Sequence, residues 1–459
     1  LFVTALVACF CVSLPLHCPA VPVPQMPPAD AAKLRQALAS YDQGRTVQAL
    51  PLLEQLLQRY PANYEINETL GLIHAEAGDY SAALPLLERG AHLKPAAALA
   101  RANLGTAYLK LQQPEKALTE LDAAARLDPH DQQTLINLAT ARMETRQPAK
   151  AAQAFAAAAA VGPLDAGTTH DRALALLQTG NAAEAKRVLD SVPAADRNDA
   201  VEAIAADTEE RLGNYQQAAQ HFSQAAHLNP TEPNIYAWVV ELLRHFSWQP
   251  AEKVAAYGIE QFPDSLRMKA ARGIAFYADN RYKESSAVFS ALLAVQPDNA
   301  TYAGLLGRSC ALIQDPTATG CEGLERFAKA HPENAEAATY AATAMLHRPT
   351  GQRDDDSARA LLQQAVAANP SLAEAYYQLG VLNQEQTRWQ ESTVPLEKAI
   401  ALKPQLAEAH YRLARAYSHL GRREDAARQI ELQQRYAKEE KESLDTRLKE
   451  VTTFLTADP

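Results

Sequence analysis

The stretch "AEAYYQLGVLNQEQTRWQESTVPLEKAIALKP" (373–404) is followed at once by "QLAEAHYRLARAYSHLGRREDAARQIEL" (405–432). Both copies set out Ala-Glu-Ala, two ring-bearing residues, a Leu with a small neighbour, and then an Ala-containing segment ending in charge. Proline shows how often the chain writes this unit. Pro61, Pro95, Pro129 and Pro163 fall at one constant interval. Pro230, Pro263, Pro297, Pro332, Pro370 and Pro404 follow at nearly the same interval, slightly stretched only before Pro370. The gap from Pro163 to Pro230 is about twice as long and holds two units with one Pro missing.

Two further marks keep this register. At a fixed distance before the Pro of its unit stands a small residue, as at Ala37, Gly71, Gly105, Ala139, Ala206, Gly273 and Gly380. At half that distance stands another, as at Ala49, Ala83, Ala117, Ala151, Ala218, Ala251 and Ala358. Turn signals lie between them: "AGDY" (77–80), "LGNY" (212–215) and "ADNRY" (278–282). Two antiparallel helices of about a dozen residues approach closely only where both present small side chains. Leu70, Tyr108, Phe222 and Phe289 fill the space beside that contact. Proline ends the second helix and bends the chain into the next pair. No pair buries its apolar face alone, so neighbouring pairs must stack.

This pattern resembles the tetratricopeptide repeat family over about residues 30–436. The copies at 64–97, 98–131, 373–406 and 407–436 fit it best. The copy at 166–198 fits least, because "SVPAADRND" replaces the usual ending, and the copy at 335–372 carries "HRPTGQRDDD" between its helices. The resemblance implies an all-α fold, a right-handed superhelical solenoid of about twelve antiparallel helix pairs. The division expected along the chain is a signal peptide (1–20), a Pro-rich linker (21–29), and N-terminal (30–198), central (199–334) and C-terminal (335–436) arrays. A capping helix (437–459) of mixed charge follows, since solenoid ends need a polar outer face.

Composition agrees with helices: aromatic residues are 7% of the chain, and alternating Val/Ile-rich stretches are nearly absent. A net charge of −10 argues against nonspecific nucleic-acid binding, which needs a basic face. The apolar stretch "LFVTALVACFCVSLPL" (1–16), with Cys18 and Ala20 at the −3 and −1 places of a cleavage site, reads as a secretory signal. A lipoprotein-like box, "LVAC", would instead anchor the chain through Cys9. Either reading places the mature protein outside the cytosol, periplasmic or secreted. There Cys310 and Cys321 are a disulfide candidate, late in one helix and early in the next; two buried thiols are the other reading.

No catalytic motif is present: GxSxG, GxGxxG, GxxxxGK, HExxH and CxxCH are all missing. His221 and His227, six apart, do not share a helix face as metal ligands would. Asp354, Asp355 and Asp356 lack the alternating ligands and Gly of a calcium loop, and suit the start of a helix. No metal, cofactor or catalytic residue is therefore expected.

In the family that the sequence resembles, the first helices line a concave face that holds peptides or helices. The matching positions carry Asn103 and Asn137 in adjacent copies, then Gln378 and Arg412 near the end. Stacked Asn side chains would pair with a peptide's amides, each offering both donor and acceptor. Tyr377 and Tyr411 share one repeat position, with Arg412 and Arg415 alongside, an aromatic-plus-Arg makeup typical of interaction hot spots. Tyr236, Trp238 and Trp248 mark either a second apolar patch or core. The reading is a noncatalytic scaffold binding protein or peptide partners, in cell-envelope assembly or secretion. Its rival is an accessory arm that recruits a separate catalytic enzyme.

Overall fold

The computed structural model describes residues 26–313, 320–348 and 353–442, with side chains to 439. The segment read as a signal peptide, with Cys9, Cys18 and Ala20, lies outside the described residues, as does most of the proposed capping segment. Among the described residues there are 24 α-helices and no strand. The chain divides into two compact units, Leu1–Thr179 and Gly180–Pro459. The division falls inside the copy at 166–198, whose ending departs most from the repeat pattern.

The first unit holds α1 (Pro28–Asp42), α2 (Thr46–Arg59), α3 (Tyr64–Glu76), α4 (Tyr80–Leu93), α5 (Ala98–Lys110), α6 (Pro114–Leu127), α7 (Gln132–Glu144), α8 (Pro148–Val161) and α9 (Ala166–Gln178). The second begins with α10 (Ala182–Asp190), α11 (Asp199–Arg211), α12 (Tyr215–Leu228), α13 (Glu232–Arg244), α14 (Trp248–Gln261), α15 (Leu266–Ala278) and α16 (Tyr282–Val295). It continues with α17 (Ala300–Leu312), α18 (Glu322–Ala330), α19 (Ala335–Leu346), α20 (Asp355–Ala368), α21 (Ala373–Glu385), α22 (Trp389–Leu402), α23 (Ala407–His419) and α24 (Arg423–Glu442). Within each unit, consecutive helices pack as pairs and the pairs pack on their neighbours.

Local chemistry sets the helix ends. Each of the ten regularly spaced prolines lies two residues beyond the last residue of a second helix. Asn63, Asp131, Asp165, Asn198, Thr231, Ser265, Asn299 and Asn334 cap first helices by accepting a backbone N–H from three residues on. Asp354 does the same for α20, accepting from the Ser357 amide at 2.9 Å, so the aspartate run is a helix start. Between the two helices of a pair one residue adopts positive φ. Gly44, Gly78, Gly213 and Gly421 take it freely, whereas Gln112, Arg146, Phe246, Asn280 and Thr387 take it at a steric cost.

The close contact inside each pair is made by the small residues. Ala37, Ala139 and Ala206 in first helices, and Ala49, Ala83, Ala117, Ala151, Ala218, Ala251 and Ala358 in second helices, are completely buried. Where the first-helix residue is glycine, the second helix presses closer. A Cβ on Gly71 would stand 2.7 Å from Leu87 Cδ2, one on Gly105 2.6 Å from Leu121 Cγ, and one on Gly380 2.5 Å from Leu396 Cγ. Phe155 and Phe289 are fully buried, and a Cβ on Gly273 would stand 2.8 Å from the Phe289 ring.

Cys310, in α17 and almost fully buried, is disulfide-bonded to Cys321 at the start of α18, with Cα atoms 6.1 Å apart. Closing so short a loop contributes roughly 2–3 kcal/mol. Urea unfolding of a Cys310→Ser/Cys321→Ser variant is expected to show a loss of about that size. Unreduced peptide mapping is expected to find the two cysteines in one linked peptide pair; two separately alkylated peptides would contradict the bond.

Candidate functional site

The first helices of the second unit carry a run of tyrosines and arginines that are neither core nor fully exposed. The Tyr340 ring in α19 lies against Gly307 of α17, so closely that any Cβ there would clash with it. Burial pushes the Tyr340 hydroxyl up, Arg308 opposes that shift, and Glu336 and Glu374 reinforce it. These groups from α17, α19 and α21 therefore act on one another electrostatically. One repeat further on, Tyr377 is half-buried; burial raises its hydroxyl and Arg412 of α23 opposes the rise. Glu374 is raised by burial and accepts a hydrogen bond from Gln378 Nε2 at 2.8 Å. Gln384 Nε2 donates to the Arg412 carbonyl at 2.6 Å, tying α21 to α23.

Tyr411 occupies the same repeat position as Tyr377 but is 47% exposed. Arg412 and Arg415 beside it are half-buried, and Arg415 lies over the Trp389 ring at 5.9 Å. Trp389 in turn stacks on His419 with ring centres 3.7 Å apart. Below them His410 is locked by Gln429 at 2.6 Å and the Pro404 carbonyl at 2.9 Å. The arrangement is a rigid base that presents an aromatic ring and two guanidinium groups.

The two asparagines of the first unit are placed differently. Asn103 Nδ2 donates to Glu68 Oε1 of α3 at 2.7 Å. Asn137 Nδ2 donates to Thr106 Oγ1 of α5 at 2.8 Å, while its Oδ1 accepts from Gln133 at 3.0 Å. At least one N–H of each amide is thus spent on the neighbouring first helix, and Glu68 is raised by its burial.

A third locus, which the sequence reading passed over, joins α11 and α13. His245 Nε2 lies 2.9 Å from Glu210 Oε2 and 3.5 Å from Glu241 Oε1. Arg244 holds Glu210 Oε1 at 3.4 Å and Glu241 Oε2 at 3.3 Å. Burial, with Glu210 nearby, pushes Glu241 up to about 7. Tyr215 stacks on His245 with ring centres 3.9 Å apart. Tyr215, Glu241 and His245 line a groove of about 750 Å³, with Trp238, Leu242 and Ser247. No sequence signal pointed here, because Glu210 and Glu241 belong to the first helices of successive pairs and are brought together only by pair stacking. His221 pairs with Glu202 at 2.6 Å, and His227 bonds the Ser223 carbonyl in its own helix. Tyr236, Trp238 and Trp248 are partly buried against the core, with Trp238 also lining the groove.

Paired helices with small-residue contacts, proline-terminated second helices and a side-chain-rich face on the first helices define a helical-repeat protein. Sequence models of the tetratricopeptide repeat match residues 34–95, 136–200 and 251–318, and a second such model matches 74–138. The chain belongs to the tetratricopeptide repeat family. No curated protein matches it. Among solved structures, the chain is similar to Naa15/Naa10 bound to HypK-THB, at 15% identity and a TM-score of 0.37, over 88% of this chain and 68% of that one. It is similar to Pseudomonas aeruginosa pilF at 18% identity and a TM-score of 0.37, over 45% of this chain and 94% of that one. A tetratricopeptide repeat protein from Parabacteroides merdae is similar at 17% identity and a TM-score of 0.38, over 54% of this chain and 99% of that one. The repeats indicate a protein–protein interaction scaffold, and proteins built of them are in general noncatalytic. No helix among the described residues is long and apolar enough to cross a membrane.

Proposed function

We propose that the protein is an exported, noncatalytic scaffold that holds a peptide or protein segment on the face formed by the first helices of its C-terminal repeats. The observation that carries this reading is the exposed Tyr411 ring set beside Arg412 and Arg415 on a locked base, continuous with Tyr377 and Tyr340. Aromatic rings supply contact area at little entropic cost, and a guanidinium binds a carboxylate in a bidentate fork. An extended segment carrying an aromatic or aliphatic anchor and a carboxylate fits this chemistry. Cell-envelope assembly or secretion is the setting we infer. It is supported by the signal-like stretch at 1–20 and by the Cys310–Cys321 disulfide, a bond that persists outside the cytosol.

The test is a crosslinking capture from envelope extract of the source cells, comparing the wild-type chain with a Tyr377→Ala/Tyr411→Ala/Arg412→Ala variant that retains its helical circular dichroism. Partners held by the wild type and lost by the variant support the reading. Partners retained equally by both would overturn the assignment of this face.

A further inference from the structure

The groove beside α12 and α13 holds the most unusual polar arrangement among the described residues. Three residues converge there: Glu210, Glu241 and His245 each bring one donor atom within 4.8 Å of the other two, and His245 Nε2 is 2.9 Å from Glu210 Oε2 and 3.5 Å from Glu241 Oε1. Glu241 and His245 are four residues apart, so they project from one side of the end of α13; Glu210 arrives from α11. The remaining oxygen of each carboxylate is taken by Arg244, at 3.4 Å and 3.3 Å. That leaves one oxygen of each facing the imidazole. Tyr215, stacked on His245, fixes the plane of the ring.

One atom of the set lacks what a buried polar atom needs. Glu241 is 1% exposed, and its Oε1 has no hydrogen-bond partner. His245 Nε2 stands 3.5 Å away and is closer to Glu210. A buried carboxylate oxygen without a donor is costly. A cation at the point where the three atoms meet would relieve it.

We propose that Glu210, Glu241 and His245 form a binding site for a divalent transition-metal ion of the zinc class, with its fourth coordination position open towards the groove. Zinc binds imidazole nitrogen and carboxylate oxygen at about 2.0–2.2 Å, which sets tetrahedral donors about 3.3 Å apart. His245 Nε2 lies 2.9 Å from Glu210 Oε2 and 3.5 Å from Glu241 Oε1, on either side of that value. An imidazole in the set selects against magnesium and calcium, which take oxygen donors. Arg244 acts as the outer-shell group that orients both carboxylates, the role such partners fill in metal sites generally. A three-ligand site with an open position binds a further oxygen donor, so the groove would present the ion to a carboxylate or carbonyl of a bound partner.

The experiment is calorimetric titration of Zn²⁺ into the tag-free, chelator-stripped full chain, repeated with Co²⁺ and followed by visible absorption. One ion per chain is expected, with the Co²⁺ spectrum of a low-coordinate nitrogen/oxygen site. His245→Ala and Glu241→Gln should each weaken binding at least about 100-fold, since even outer-shell groups are worth 10–100-fold. Glu210→Gln provides a second test should either variant fail to fold. His221→Ala, which removes a histidine paired with Glu202 elsewhere on α12, should leave binding unchanged. No binding, or binding that survives His245→Ala and Glu210→Gln undiminished, would overturn the proposal.

Discussion

Replacing Gly380 with Leu is expected to cost about 3 kcal/mol or more of stability in urea unfolding, at the upper end of what overpacking does. A single added carbon at Gly380 would already stand 2.5 Å from Leu396 Cγ, and Leu396 is fully buried, so it has no room to yield. Gly78→Ala supplies the contrast. Its backbone is in the left-handed region at φ +79°, but nothing lies within 4 Å of an added Cβ. Only the backbone penalty of about 1–2 kcal/mol should appear there. Because each helix pair stabilises mainly its neighbours, the Gly380→Leu loss should fall on the C-terminal transition and spare the helices of the first unit. A Gly380→Leu protein within about 0.5 kcal/mol of wild type, a size normal for surface changes, would contradict the close-contact account of the repeats.

The second large effect concerns binding. Truncating Tyr411 and Arg412 together should weaken the captured partner about 30-fold or more. Hot-spot aromatic and Arg residues are worth roughly 2 kcal/mol or more, and each 1.4 kcal/mol is tenfold in affinity. Stability should change less than affinity, because Tyr411 is 47% exposed and Gln384 still ties α21 to α23 through the Arg412 carbonyl when the Arg412 side chain's hydrogen bond to Tyr377 is lost. Asn103→Ala and Asn137→Ala should behave in the opposite way. Their amides bond Glu68 and Thr106 of adjacent helices, so their loss should lower stability by about 1 kcal/mol each and leave that partner's affinity unchanged. Fluorescence anisotropy with the labelled partner segment measures both pairs of variants.

Much of the fold was legible because each device of the repeat is written in residue type. A proline two residues past ten of the second helices, and a small residue at both contact positions of a pair, can be read without coordinates. The turns at Gln112, Arg146, Phe246 and Thr387 could not be read so. Gly44 and Gly78 announce positive φ, whereas Phe246 and Thr387 adopt it because the packed pair on either side forces them to. The helix pairing overrides their local preference. The candidate site was legible in part. Tyr377 and Tyr411 stand out because they recur at repeat spacing, and Arg412 and Arg415 because they lie beside the second of them on the same helix. Tyr340 and Arg308 do not share that position; they join the same face through stacking, with Gly307 making room for the tyrosine ring. The hydrogen bonds of Asn103 and Asn137 were equally hidden, since an amide at a groove position reads the same whether it faces a ligand or the next helix. Glu210, Glu241 and His245 form no motif along the chain and become a cluster only when the helix pairs stack.

The most direct measurement of the scaffold reading is site-specific photocrosslinking in envelope extract, with the photoreactive residue placed at Tyr411 or, as the opposing case, at Val394. Both positions are exposed and lie in the same unit, but Tyr411 is on a first helix and Val394 on a second. The account predicts a discrete protein adduct from position 411, lost when Arg412 is also replaced by Ala, and none from position 394. An adduct from 394 with none from 411 would place binding on the opposite helices and contradict it.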